Sequence, residues 1–230
     1  SNFLYRQTFT DNFINATRPT EDSAFFINRN FRGGALNLGI HQEETLFSQK
    51  NTRVRKLPEA SLDLNGWRLP FAPIYFDLST SAAGMSRSDL LIETPTITQR
   101  LDFSPKIYFS VPIFQGLRIS PSLKLREVFY SDSVAWEDGV PTVVSENVFR
   151  NYADLSVDLQ GLKLSRTWGK SDSVRWKHVL EPRLRYRLIK GIDDYDKVIL
   201  FDDVDAVAET NELEYSLINR FYTKAPGDSS

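Results

Sequence analysis

The chain has 230 residues, with 28 Lys and Arg against 30 Asp and Glu, and a formal charge of −2. That balance argues against a duplex-DNA or polybasic membrane-surface binder, which rests on a strong positive excess, so no nucleic-acid partner is expected. The lack of cysteine rules out a disulfide scaffold and cysteine-ligated metal sites, and no run approaches the roughly 20 apolar residues of a membrane helix, although an alternating β-barrel stays open.

The chain starts Ser1-Asn2-Phe3, with no initiator Met and no signal peptide, and ends in a polar Ala-Pro-Gly-Asp-Ser-Ser tail, so an excised piece of a longer protein is expected. Less regular strands are predicted over 4–13, 23–31, 35–42, 53–64 and 74–83. The clearest alternation runs over 96–114. Ile97, Leu101, Phe103, Ile107, Phe109, Val111 and Ile113 share one parity; Thr98, Arg100, Asp102, Ser104, Lys106 and Ser110 share the other. A two-residue turn at Ser104-Pro105 would flip that parity, and it does not flip. One long strand is predicted, with Pro105 and Pro112 at bulges or points of weak pairing.

The pattern returns over 119–126, 152–168, 181–188 and 212–221. Parity shifts at Gly161, between Leu159 and Leu162, which fits either a tight turn or a bulge. Loop lengths favour the bulge. With one strand over 152–168, connections near 15–22, 43–52, 84–95, 131–147 and 190–210 are generally longer than those near 32–34, 65–73, 115–116 and 169–173. Long loops on one side and short turns on the other are the layout of outer-membrane barrels. A short helix or turn is predicted over 206–213 in the last long loop.

The fold class is therefore all-β: an antiparallel transmembrane β-barrel fragment of about ten long strands, a strongly curved open sheet. A soluble sandwich is the competing reading, but its strands usually have only about 5–6 residues. Aromatic residues gather near strand ends, among them Trp67, Phe71, Tyr75, Phe129, Tyr130, Trp136, Phe149, Tyr152, Trp168, Trp176, Phe221 and Tyr222. Interface belts account for that placement.

One face meets lipid, and the other lines a wet lumen. Candidate lumen-lining contacts for a cargo or plug are Arg100, Asp102, Lys124, Arg126, Asp154, Asp158, Arg183, Arg185, Arg187 and Glu214. The plainer role of each is a salt-bridge lattice across neighbouring strands. The functional role is a polar path for a charged, amphipathic cargo.

Catalytic motifs are weak. His41 and His178 are far apart, and no G-x-S-x-G elbow accompanies them. Gly169-Lys170-Ser171 matches the end of a P-loop, but Leu164 stands where the first glycine belongs. Asp202, Asp203 and Asp205 lack the glycine and terminal Glu of a calcium loop and read as a solvated loop. No catalytic residue, metal or cofactor is expected.

Several segments in order resemble a known family. They are Gln99-Arg-Leu-Asp-Phe-Ser-Pro, Ser120-Pro-Ser-Leu-Lys-Leu-Arg-Glu, Arg150-Asn-Tyr-Ala-Asp-Leu-Ser-Val-Asp-Leu, Lys177-His-Val-Leu-Glu-Pro-Arg-Leu-Arg-Tyr, Phe201-Asp-Asp-Val-Asp-Ala and Asn211-Glu-Leu-Glu-Tyr-Ser-Leu-Ile-Asn-Arg-Phe-Tyr. Together they resemble the barrel region of the lipopolysaccharide-assembly outer-membrane (LptD, organic solvent tolerance) family. The resemblance implies a bacterial outer-membrane barrel that takes lipopolysaccharide from a periplasmic bridge protein. It implies release into the outer leaflet through a lateral seam, with an outer-membrane lipoprotein plug inside. The chain departs from the family in lacking a periplasmic jelly-roll domain, cysteines and a final aromatic-ended strand. Residues 1–230 are thus expected to be one partial barrel domain, with the N-terminal periplasmic domain and final strands absent and the seam outside or only partly present. Two alternatives remain at this point: a self-contained channel of about ten strands for small solutes, and a barrel-embedded hydrolase using His41 or His178.

Overall fold

The computed structural model describes residues 20–45, 52–94, 97–114, 116–169 and 174–224. Among them the chain forms an antiparallel sheet of β1 (Thr20–Phe31), β2 (Gly34–Thr45), β3 (Thr52–Arg68), β4 (Ile74–Ser88), β5 (Thr98–Phe109), β6 (Val111–Phe114), β7 (Leu117–Tyr130), β10 (Val148–Gln160), β11 (Leu164–Trp168), β12 (Arg175–Lys190) and β13 (Thr210–Lys224). A separate hairpin joins β8 (Ser133–Glu137) to β9 (Val140–Val144). The predicted strand over 4–13 lies outside the described residues. No described helix is long and apolar enough to cross a membrane.

The long strand through Pro105 is present. β5 and β6 keep one register on β7, from Arg100 opposite Tyr130 to Val111 opposite Ile119. Around Pro105 the ladder to β7 skips Ser104 and Pro105 without a shift, which is weak pairing and no bulge. Proline has no N–H to give the ladder. The register slips only beyond Pro112, before Phe114.

Gly161 is the bulge. Gln160 pairs with Arg183 and Leu164 with Leu180, so residues 161–163 face residues 181–182 and one extra residue is absorbed. A Cβ at Gly161 would stand 2.6 Å from Pro182 Cγ, so the close approach admits only glycine. β10 and β11 are therefore one bent strand along β12.

Burial along these strands is inverted. On β5, Leu101 is 52% exposed and Phe103 49%, while Arg100 is 2% exposed and Asp102 7%. A sandwich would bury the apolar parity. Here the apolar parity is outside, and it stays outside from Phe25 and Ile27 on β1 to Leu213 and Leu217 on β13. Strands of 12 to 17 residues, at about 3.3 Å per residue, are long enough to cross a roughly 30 Å hydrocarbon layer.

The wall is concave. β3 and β7 are three strand spacings apart, about 14 Å in a flat sheet. Yet Lys56 on β3 and Tyr130 on β7 reach carboxylates only three residues apart, Asp202 and Asp205. Among the described residues β1 pairs only with β2 and β13 only with β12, so the sheet is open.

Three expectations need correction. Residues 206–213 form no helix; the last long loop holds a short 3-10 turn, Tyr195–Lys197, and β13 begins at Thr210. The predicted loop over 131–147 contains the β8–β9 hairpin. Tyr130 and Tyr152 are not belt residues, since they point inward and are 0% and 6% exposed.

Candidate functional site

The inner surface has two parts. The first lies at the long-loop end, where the β12–β13 connection (191–209) folds across the concavity. Val198, Ile199 and Phe201 from this loop pack on Ala83, Met85, Val128, Tyr130, Val134 and Val148. This apolar cluster lies on the concave side of the sheet.

Polar contacts pin the loop to the wall. Arg100 Nη1 and Nη2 donate to the two Asp202 oxygens, each at 2.9 Å. Nη1 also donates to Asp205 at 3.1 Å. Tyr130 Oη donates to Asp205, and the Phe201 and Asp202 N–H groups donate to Asp205 Oδ2 at 2.8 and 3.1 Å. Lys56 Nζ lies 2.8 Å from Asp202 Oδ2. Arg150 donates to the carbonyls of Asp205, at 2.5 Å, and of Val207, while Arg87 donates to the Leu200 carbonyl. Five wall strands thus hold one loop.

This corrects the reading of Asp202, Asp203 and Asp205 as solvated. Asp203 is exposed, but Asp205 is fully buried and Asp202 half-buried. Lys56, Arg87 and Arg150 were missed as parts of this site. Arg150 carried a usable signal, because it shares the parity of Asp154 and Asp158.

Burial pushes the Asp202 carboxyl up, but the hydrogen bonds and charges of Arg100 and Lys56 outweigh it and hold the group well below its ordinary 3.8. A carboxyl lowered by folding stabilises fully above its ordinary value and loses that contribution as pH falls through the lowered value. The loop should therefore stay closed between about pH 8 and about pH 5 and open only in strong acid. Trp136 reports on it, since its Nε1 donates to the Asp196 carbonyl at 3.0 Å. Fluorescence compared with Trp136→Phe should stay constant over that range; a transition inside it would contradict the assignment.

The second part is the mid-wall. Arg126 Nε donates to Asp102 at 2.9 Å, and a second bond joins the same pair. Arg187 holds Asp154 by bonds of 3.2 and 2.8 Å. Arg185 holds Asp158 at 3.1 Å and stands 3.9 Å from Glu214, and Arg183 stands 3.9 Å from Asp158. All ten sequence-chosen residues lie on the inner parity. Nine are in these ion pairs or in the loop contacts; Lys124 is the exception among described residues. Beside them lies an open concavity of about 720 Å³ lined by Lys106, Lys124, Arg185, Arg187, Asp154 and several serines.

The histidines form no common centre, with His41 on β2 near one edge of the sheet and His178 on β12 near the other. His178 stacks between Phe221 and Trp168, with ring centroids 4.3 and 6.4 Å away, and shares a 3.0 Å hydrogen bond with Asn219. Its strand parity is the outward one, so it belongs to an aromatic rim with Trp176. His41 lies with Asp22 and Glu43, ligand atoms within 4.8 Å of one another, on an exposed patch.

The LptD family model, LPS transport system D, matches residues 4–228. No curated protein matches the chain.

Proposed function

The chain belongs to the LptD family, LPS transport system D, and from that premise we propose that it is a wall section of the outer-membrane β-barrel that inserts lipopolysaccharide into the outer leaflet. The family is one of lipopolysaccharide transport and assembly, and its place is the bacterial outer membrane.

The observation that carries the wall reading is the inverted burial of β5, with apolar side chains outward and ion pairs inward. Lipid does not tolerate unpaired sheet edges, and the described sheet is open, so the working barrel is completed by strands beyond those described. That favours a partial barrel domain over a self-contained small-solute channel. The work of the wall is binding and conduction, without covalent chemistry and without a cofactor. The guanidinium and carboxylate lattice faces the lipoprotein plug and the passing lipid. Delivery of the lipid to this wall from a periplasmic bridge protein is part of the same proposal.

The test places a photo-crosslinking amino acid at Ser156, on the inner parity, in the full-length protein in growing cells. Lipopolysaccharide adducts should form there and fade when delivery from the periplasm is stopped. Persistent absence of such adducts, with the protein folded and transport active, would contradict this reading.

A further inference from the structure

Across β4, β5, β7 and β10 one rung of the inner wall reads Asp77, Lys106, Lys124, Asp154, each directly opposite the next. Such a rung could alternate charges and pair them. It does not. Asp154 is taken by Arg187 at 2.8 Å, and Asp77 accepts the Gly66 N–H at 2.7 Å. Among the described residues no carboxylate forms an ion pair with Lys106 or Lys124. Two lysines thus face each other across neighbouring strands, an arrangement that destabilises a sheet.

The surroundings supply further donors. The Ser104 hydroxyl is on the same face, 5% exposed, with no hydrogen-bond partner among the described residues. Ser122, opposite Tyr108, lines the same concavity, and Lys106 Nζ lies 5.2 Å from the Tyr108 ring centroid. Buried hydroxyls are normally satisfied, so a lone one beside two like charges points to a missing acceptor.

We infer that Lys106 and Lys124, with Ser104 and Ser122, form a phosphate-binding subsite on the lumenal wall. A phosphate group carries up to two negative charges and several acceptor oxygens, which suits two ammoniums and two hydroxyls. A carboxylate, with two oxygens and one charge, suits them less well. The concavity of about 720 Å³ leaves room for the sugar that bears the phosphate. Resting on the lipopolysaccharide reading, this names the part of the cargo the wall holds: its phosphorylated sugars.

The test uses the full-length protein in detergent, purified lipopolysaccharide, and the same lipopolysaccharide after chemical dephosphorylation. The wild type should bind the phosphorylated form about tenfold more tightly. The double variant K106Q/K124Q should lose that preference with little change towards the dephosphorylated form, and K106R/K124R should keep it. Heat-modified gel mobility checks folding, and the Arg variant remains informative if the Gln variant fails to assemble. A wild type that binds both forms equally, or a Gln variant that keeps the preference, overturns the subsite and leaves the transport reading standing. Loss of the co-purifying plug lipoprotein while the preference persists gives the lysines to a protein partner and also overturns it. A wild type that binds neither form overturns both readings.

Discussion

Replacing Arg100 with alanine should destabilise the protein by about 3–5 kcal/mol, the range for removing one partner of a buried ion pair. Arg100 is 2% exposed and Asp205 0% exposed, so the variant leaves an uncompensated carboxylate at the centre of the loop contact. Asp202 would keep Lys56 at 2.8 Å, but Asp205 would keep only Tyr130 and backbone N–H donors. Arg100→Lys should recover part of the loss, since an ammonium cannot span both carboxylates as the planar guanidinium does. Arg187→Ala is the control. Its side chain is 44% exposed and that of Asp154 13%, so the pair is half open to water and its loss should be smaller, about 1 kcal/mol. Denaturant unfolding of the full-length protein in lipid measures all three. Equal effects at Arg100 and Arg187 would mean the loop contact is no more than surface chemistry.

Ile107→Arg should be the second large effect. Ile107 is 46% exposed near the middle of the long β5–β6 strand and points away from the lumen. If that face meets hydrocarbon, a guanidinium there costs about 2–4 kcal/mol. In a soluble sheet the same change at an exposed position would fall within about 0.5 kcal/mol. Ser120→Arg, on the opposite parity and lining the wet concavity opposite Asp158, should be nearly neutral. The sign of the difference between these two variants separates lipid from water outside the sheet. It is read as yield of assembled protein in the outer membrane and as unfolding free energy in lipid.

What was legible in the sequence follows from what is local. Two-residue alternation names the faces, because side chains of a strand point alternately to either side. Unbroken parity marks the strand that runs through Pro105, and loop lengths mark Gly161 as a bulge. The loop over 191–209 was opaque for the opposite reason. Its Asp202 and Asp205 are held by Arg100 and Tyr130, contacts more than 70 residues away in sequence, and no local pattern separates a buried acidic loop from a solvated one. Ala206–Leu213 contains helix-forming residues, but Thr210 onwards pairs with Ile189 and its neighbours on β12, and the ladder overrides propensity. Lys106 and Lys124 were each legible as lumenal. Their opposition was not, because it needs the register between β5 and β7.

β5 should present its odd residues to lipid and its even ones to a polar lumen. The chain has no cysteine of its own, so single cysteines placed from 98 to 109 in the lipid-reconstituted full-length protein, with any cysteine outside these 230 residues replaced by serine, can carry a fluorophore. Quenching by nitroxide-bearing lipid should peak at Leu101, Phe103, Ile107 and Phe109 and fall at Asp102, Ser104 and Lys106. A flat profile, or quenching on the even residues, would contradict the membrane wall.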